Sequence, residues 1–441
     1  MPDRTRRPPV RMAHLGLGAF HRAHQAWYTD RADDAWGIAA FTGRSAAAAT
    51  ALAGQDGVYT VIERAAGGDT ATLVQSIVAA HDGADERAWR TVLSSPAVSV
   101  LTLTVTEAGY HATASGDLDT SDPSVRSDIA ALVSGEAART APGRVVDGLR
   151  ARRDAGAGPI AVVSCDNLPG NGSVAERVVR GVARLVDPSL DEWVARNVSF
   201  VSTMVDRITP RTTHDDRAVA EGLTGVADAV PVVTEPFSEW VLSGDFPAGR
   251  PPWERAGARF VDDVEPYERR KLWLLNAGHS LLAYRGRLLG YDTVADAAGP
   301  LADELELHWD EARPLLPLDA AEIDEALGAL RQRFANPRIR HVLTQIAADG
   351  SFKLPVRVVE PLRRRLAADL PPGHAQLGVL AAWSTYLVRF GATDDASRGL
   401  ADALRGMLDA RARSAAVLRA LDAPEELLDP LATRITELER L

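Results

Sequence analysis

The chain of 441 residues has one cysteine, two lysines and no hydrophobic run of membrane-spanning length. Each scarcity excludes something. A single thiol, Cys165, can neither close an internal disulfide nor supply a cysteine-rich zinc site. Without about 20 consecutive apolar residues, no transmembrane helix is expected. The basic start MPDRTRRPPV is not followed by the apolar core of a secretory signal, so a cytoplasmic protein is the simplest expectation. A formal charge of −11 leaves no net cationic surface to displace counterions from a nucleic acid. In a chain that otherwise uses arginine, the two lysines, Lys271 and Lys353, stand out.

What is present is ordinary globular material. Hydrophobic residues make up 46% and charged residues 25%, enough for a sizeable core. The length exceeds one common domain, so two are expected. Residues 1–240 alternate strand and helix patterns, the Pro/Gly-rich DFPAGRPPW marks a junction near 240–253, and amphipathic helices dominate 241–441. The fold class this predicts is an α/β Rossmann-type domain followed by a mainly α-helical one. The expected partner is a small molecule, with no nucleic acid or membrane and at most weak self-association.

VRMAHLGLG followed by FHRAHQAWYTDRADD reads as strand, G-x-G turn and helix, the opening of a dinucleotide-binding βαβ unit. Gly16 makes the tight turn and Gly18 lets the backbone approach a pyrophosphate. Ala19 and Phe20 follow where the usual fingerprint continues toward a third glycine. The second strand, WGIAAFTG, ends on Thr42, Gly43 and Arg44 rather than on the acid that grips the ribose of NAD. Arg44 suits either a 2′-phosphate or a solvated loop, so the reading leans to NAD and leaves NADP open.

The strand AVSVLTLTVTEAGY ends in Thr104, Thr106 and Glu107, PIAVVSCDNLPGNG in Asp166 and Asn167, and FVSTMVDRITP in Asp206 and Arg207. Polar groups at strand carboxyl ends sit where a doubly wound sheet puts its ligand. Taken alone, Asp166 and Asn167 are better explained as turn formers. The Ser/Asp/Gly-rich residues 113–142 read as a mobile excursion.

The second focus is EPYERRKLWLLNAGHSLLAYRG, residues 265–286, a strong helix pattern. At about 100° per residue, Lys271, His279 and Asn276 fall near 0°, 80° and 140° and share one broad face. A lone lysine on such a helix ordinarily snorkels, and a lone histidine is ordinarily a satisfied core group. An amine, a carboxamide and an imidazole together are costly to bury unless used or paired.

HLGLGAFHRAHQ, TVTEAGY, SCDNLPGNG, MVDRITP, TEPFSEWV, KLWLLNAGHSLLAY and QIAADGSFKLPVR, in this order over about residues 14–357, resemble the polyol-specific long-chain dehydrogenases. That family includes mannitol 2-dehydrogenases and fructuronate reductases (mannonate oxidoreductases). The resemblance implies a metal-free NAD(P) oxidoreductase whose site is shared by the two domains. It makes Lys271 the general base, Asn167 and Asn276 the carboxamides on the reacting oxygen, and His279 a substrate-orienting group. Glu107 becomes a carboxylate linked to proton exchange, and Asp206 and Lys353 substrate-pocket residues. Mannitol-type members carry an arginine and an aspartate where this chain has Gln345 and His341. The run from Arg340 to Arg357 is closer to fructuronate reductases, so D-mannonate/D-fructuronate is expected ahead of D-mannitol/D-fructose. A sugar acid's carboxylate needs a cation, for which Lys353, Arg340 and Arg357 are the candidates.

Burial beside a nicotinamide cation would lower the lysine's pKa toward a working range. Two rivals remain from other chemistry. A zinc alcohol dehydrogenase lacks its ligands in this sequence. A non-catalytic dinucleotide sensor would have no use for Lys271 opposite two carboxamides.

Overall fold

A computed structural model describes residues 7–43, 45–392 and 394–440. It contains two compact units, Met1–Glu265 and Pro266–Leu441. The first holds strands β1 (Val10–Leu15), β2 (Gly37–Phe41), β3 (Tyr59–Ala65), β4 (Gly68–Val74), β5 (Ile77–His81), β6 (Val100–Leu103), β7 (Ile160–Ser164), β8 (Val198–Asp206), β9 (Val232–Thr234), β10 (Glu239–Ser243) and β11 (Arg259–Phe260). Eight of them form one sheet in the order β11-β10-β8-β7-β6-β1-β2-β5, and β4-β3-β9 form a small second sheet. In the large sheet only the β8–β10 pair is antiparallel.

The central strands β2, β6 and β7 are buried along their whole length, as parallel strands covered on both faces must be. Alternate residues feed two cores. Met12, Ile38, Ala40, Val100 and Val163 pack on one face, and Ala13, Ala39, Phe41, Leu101 and Val162 on the other. From β1 the chain passes to β2 on one side, and β6 pairs on the other. The strand order reverses at this point, which opens a crevice at the carboxyl ends of β1 and β6.

Two stretches of the first unit differ from the expectation. The sheet runs on past residue 240 through β10 and β11, and Trp253 is fully buried in its core, so the Pro/Gly-rich segment lies inside the first unit. Apolar residues flanking the turns outweigh the turn-forming composition. Residues 113–142 are a built connection. Asp122 caps the helix Pro123–Ser134, and buried Asp128 accepts from Arg139 N at 2.9 Å, Thr140 N at 2.7 Å and Thr140 Oγ1 at 2.6 Å. The polar residues are caps and anchors there.

The second unit is helical around one core, with Leu281, Leu282, Trp309, Leu380 and Trp383 all buried. NPRIRHVLTQIAAD, expected as an amphipathic helix, keeps only the single turn Leu343–Ile346. Pro337 interrupts it, and Val342 bridges to Thr293 in extended conformation.

Candidate active site

The first unit builds a cleft mainly from backbone. Gly16 has φ +109°, and a Cβ there would lie 2.1 Å from the Thr104 carbonyl oxygen, so only glycine fits. Thr104 Oγ1 donates to Gly16 O at 2.8 Å. It therefore accepts from His14 Nε2 at 3.2 Å, and His14 Nδ1 accepts from Thr102 Oγ1 at 2.9 Å. This chain of bonds assigns the His14 tautomer and pins the turn. Burial holds the His14 pKa down to about 3, so the ring is neutral. His21 stacks on it with ring centroids 3.3 Å apart, and neither of its nitrogens has a partner.

Beyond the turn opens a cleft of about 600 Å³ that gathers Gly16, Gly18, Ala19, Phe20, Thr104, Glu107 and Asn167. Its shape suits a dinucleotide: a glycine turn without room for Cβ, at the strand-order reversal, beside unbonded neutral imidazole nitrogens. Glu107 leaves the strand β6 and opens the short 3-10 turn Glu107–Tyr110, exposed to solvent. Asn167 sits in an exposed turn held by buried Asn171, which bonds Asp166 O at 3.2 Å and Thr203 O at 2.9 Å. Tyr110 OH donates to Asp166 Oδ2, and burial raises the Asp166 pKa to about 6. Asp166 Oδ1 also accepts from Leu168 N at 3.0 Å, the turn role its residue type suggests.

His14, His21 and Tyr110 were not singled out by the sequence reading. One signal was there, a histidine inside the buried strand VRMAHL. Arg44 lies outside the described residues. Asp206 ends β8, 8% exposed.

In the second unit the expected long helix is interrupted where its candidate residues lie. Glu265–Arg270 is α-helical, Lys271–Asn276 forms a π-helical turn, and Ala277–Leu288 resumes the α-helix. The regular wheel does not hold across this wide turn, which is a feature frequent at functional sites. A π turn frees backbone carbonyls for other donors. His308 Nε2 bonds Trp273 O at 3.0 Å, and Trp309 Nε1 bonds Leu274 O at 3.1 Å.

A second π turn, Pro355–Val359, forms where proline has no N–H to return to the preceding turn. The two wide turns meet. Trp273 Nε1 donates to Val356 O at 3.2 Å, and Arg357 Nη1 reaches Asn276 O at 3.3 Å and Ser280 Oγ at 3.2 Å.

Around them, Asn276 Oδ1 and His279 Nε2 are buried without partners. The His279 ring stands edge-on to His341, centroids 4.7 Å apart. Burial, then the neighbouring His341, Arg333 and Arg357, hold the His279 pKa well below the ordinary value. Burial first, then Arg333, lowers that of His341 to about 4. Lys353 Nζ donates to Ala348 O at 2.7 Å, and burial and Arg357 lower its pKa. The second unit thus brings together Asn276, His279, His341 and Arg357. Arg340 and Gln345 are exposed.

No helix among the described residues is long and apolar enough to cross a membrane. Nor do three or more His, Cys, Asp or Glu side chains among them gather as metal ligands would.

Comparison with known proteins agrees over nearly the whole chain. Residues 10–255 match the mannitol dehydrogenase Rossmann domain and residues 263–430 the mannitol dehydrogenase C-terminal domain. The chain is 41% identical to mannitol 2-dehydrogenase of Cereibacter sphaeroides, covering 87% of this chain and 81% of the relative. It is 39% identical to D-mannonate oxidoreductase of Escherichia coli, covering 85% and 79%. Pseudomonas fluorescens mannitol 2-dehydrogenase, solved as a ternary complex with NAD and D-mannitol, superposes with a TM-score of 0.79 at 32% identity, covering 97% of this chain and 90% of that one. In that neighbour's complex the dinucleotide is NAD, and this chain carries the matching Rossmann domain. With both units matching one family in sequence and in fold, the protein belongs to the mannitol dehydrogenase family and is an oxidoreductase acting on the CH–OH groups of polyols or sugar acids.

Proposed function

We propose that the protein interconverts a secondary alcohol and a ketone on a sugar acid, D-mannonate and D-fructuronate, with Lys271 as the metal-free general base. NAD supplies the hydride acceptor. Lys271 takes the hydroxyl proton during oxidation and returns it during reduction. Asn167 and Asn276 donate amide N–H to the developing alkoxide, and losing such a donor typically costs about 10² to 10³ in rate. Neutral His279 orients the substrate. Glu107, exposed at the rim of its cleft, exchanges the proton with water.

The observation that carries the sugar-acid choice is the meeting of the two π turns. It seats the Arg357 guanidinium on the carbonyl of Asn276, with Lys353 close enough to feel its charge. Lys353 Nζ also stands 3.8 Å from Asp349 Oδ2. A carboxylate-bearing substrate adds an anion beside these cations with which arginine can pair bidentately, and a neutral polyol adds none. The second reading, D-mannitol and D-fructose, rests on the Cereibacter and Pseudomonas relatives, and identities of 41% and 39% do not separate the two.

Initial rates with NADH decide. Fructuronate is expected to exceed fructose in kcat/KM by about 10² or more, and Arg357→Met to raise the fructuronate KM about tenfold while leaving fructose unchanged. Faster turnover of fructose would overturn the sugar-acid reading.

A further inference from the structure

Lys271 and Asn276 are the first and last residues of the first π turn, and the bonds inside it show what keeps it wide. In a regular α-helix the Ala277 N–H would bond Trp273 O, four residues back. Here it bonds Leu272 O and Leu274 O and passes over Trp273 O. His308 Nε2 donates to that bypassed carbonyl at 3.0 Å, and Trp309 Nε1 donates to the next one, Leu274 O, at 3.1 Å. Both donors come from one helix, Ala302–Ala312, and both residues are fully buried.

The imidazole of His308 is kept at a cost. Burial lowers its pKa to about 4, so the ring is neutral. A carbonyl only accepts, so the single ring proton sits on Nε2. Nδ1 is buried without a partner. A leucine there would leave no bare nitrogen, so packing alone does not account for a histidine, whereas the bond to Trp273 O does.

The wide turn draws three side chains together. Bonds that reach five residues back, not four, leave about 80° per residue in place of about 100°. Asn276 then lies about 40° from Lys271, against about 140° on a regular helix, and His279 lies within about 20° of Lys271 on the other side. The amine, the carboxamide and the imidazole thus project within about 60° of one another. If the Ala277 N–H took Trp273 O, the turn would close by one residue and Lys271 would swing about 100° away from the other two.

We propose that His308, backed by Trp309, is a positioning residue for the reaction: its N–H holds the π turn open and so keeps Lys271 in register with Asn276 and His279. The proposal rests on the reading of Lys271 as the general base and adds the group that sets where that base projects.

Steady-state kinetics of the full chain, with NADH and the faster of fructuronate and fructose, test it. His308→Leu is expected to lower kcat about 30-fold with KM and NADH binding within about threefold. His308→Gln presents an N–H at nearly the same reach and is expected to recover kcat to within about threefold of the unmodified chain. Trp309→Phe should cost only about threefold, because Leu274 O keeps its bond from Ala277 N. Where His308→Leu fails to fold, His308→Asn, whose amide stops one bond short of the carbonyl, takes its place in the same comparison. Unchanged kcat in the donor-less variant, or equal loss in His308→Gln, overturns the proposal, since a purely structural histidine would move the melting temperature and not the rate. Lys271→Ala separates the two readings. If it loses its rate and His308→Leu does not, the positioning role falls alone. If it keeps its rate, the base reading falls and the proposal with it.

Discussion

The two units build their functional groups by opposite means. The first uses the main chain: a glycine turn, strand ends and one buried histidine that pins a carbonyl. Its geometry follows from a parallel sheet and is as general as the cofactor it serves. The second uses side chains, and it distorts its helices to do so. Two π turns bring Arg357 to Asn276 and leave Asn276 Oδ1 and His279 Nε2 buried and unbonded. On the proposed reading, cofactor binding follows from topology and substrate recognition from local departures from regular structure.

Three changes would break or sharpen this contrast. The largest effect is expected from Lys271→Ala, which removes chemistry from the second unit alone. It should lower kcat about 10³-fold while NADH binding, followed by fluorescence, stays within twofold. Loss of both together would show that the two functions are not separable.

Next comes Gly16→Ala, which attacks the backbone of the first unit. A methyl 2.1 Å from Thr104 O at a positive φ should cost about 2 to 5 kcal/mol in stability and weaken NADH binding. Gly18→Ala is the control, since its Cβ would meet nothing closer than Gly16 O at 3.5 Å. Denaturant unfolding followed by NADH titration separates the two.

The smallest effect concerns pH. His341 has a pKa of about 4 in the fold against 6.5 for an ordinary histidine. Between those values the unfolded chain binds a proton that the folded chain refuses. The stability it governs is therefore level above about pH 6.5 and falls as pH drops toward 4. His341→Asn should reduce the drop in melting temperature between pH 7 and pH 5 by about 2 °C. An unchanged drop would mean that other histidines carry it.

Much of the first unit was legible because its signals are local. Strands buried on both faces read as apolar runs, and Gly16 announces its turn by residue type. The cleft residues from Gly16 to Asn167 lie at strand ends, where the fold gathers them whatever their distance in sequence. The extent of the sheet was less legible: DFPAGRPPW looks like a linker, and only the burial of Trp253 and the pairing of β10 and β11 place it inside. In 113–142 the composition hid a capped helix, because Asp122 and Asp128 work through backbone partners that composition does not name.

By itself, then, the sequence determined two domains, a parallel dinucleotide-binding sheet, a helical partner domain and a short roster of polar residues in apolar surroundings. Those follow from hydrophobic period and from the conformations glycine and proline permit. Only the tertiary structure decided that the helix of Lys271 widens at that residue and that Pro355 widens another beside it. It also decided that His14 holds the Gly16 turn through Thr104, and that Arg144 stays buried with one nitrogen unbonded. A π turn needs outside donors for the carbonyls it frees, and a buried imidazole or guanidinium needs particular neighbours. In this chain those partners lie 35 to 102 residues away, as His308 and Trp309 do from Trp273 and Leu274, Thr104 from His14, and Thr42 from Arg144. Regular periodicity carries no information about contacts at that separation.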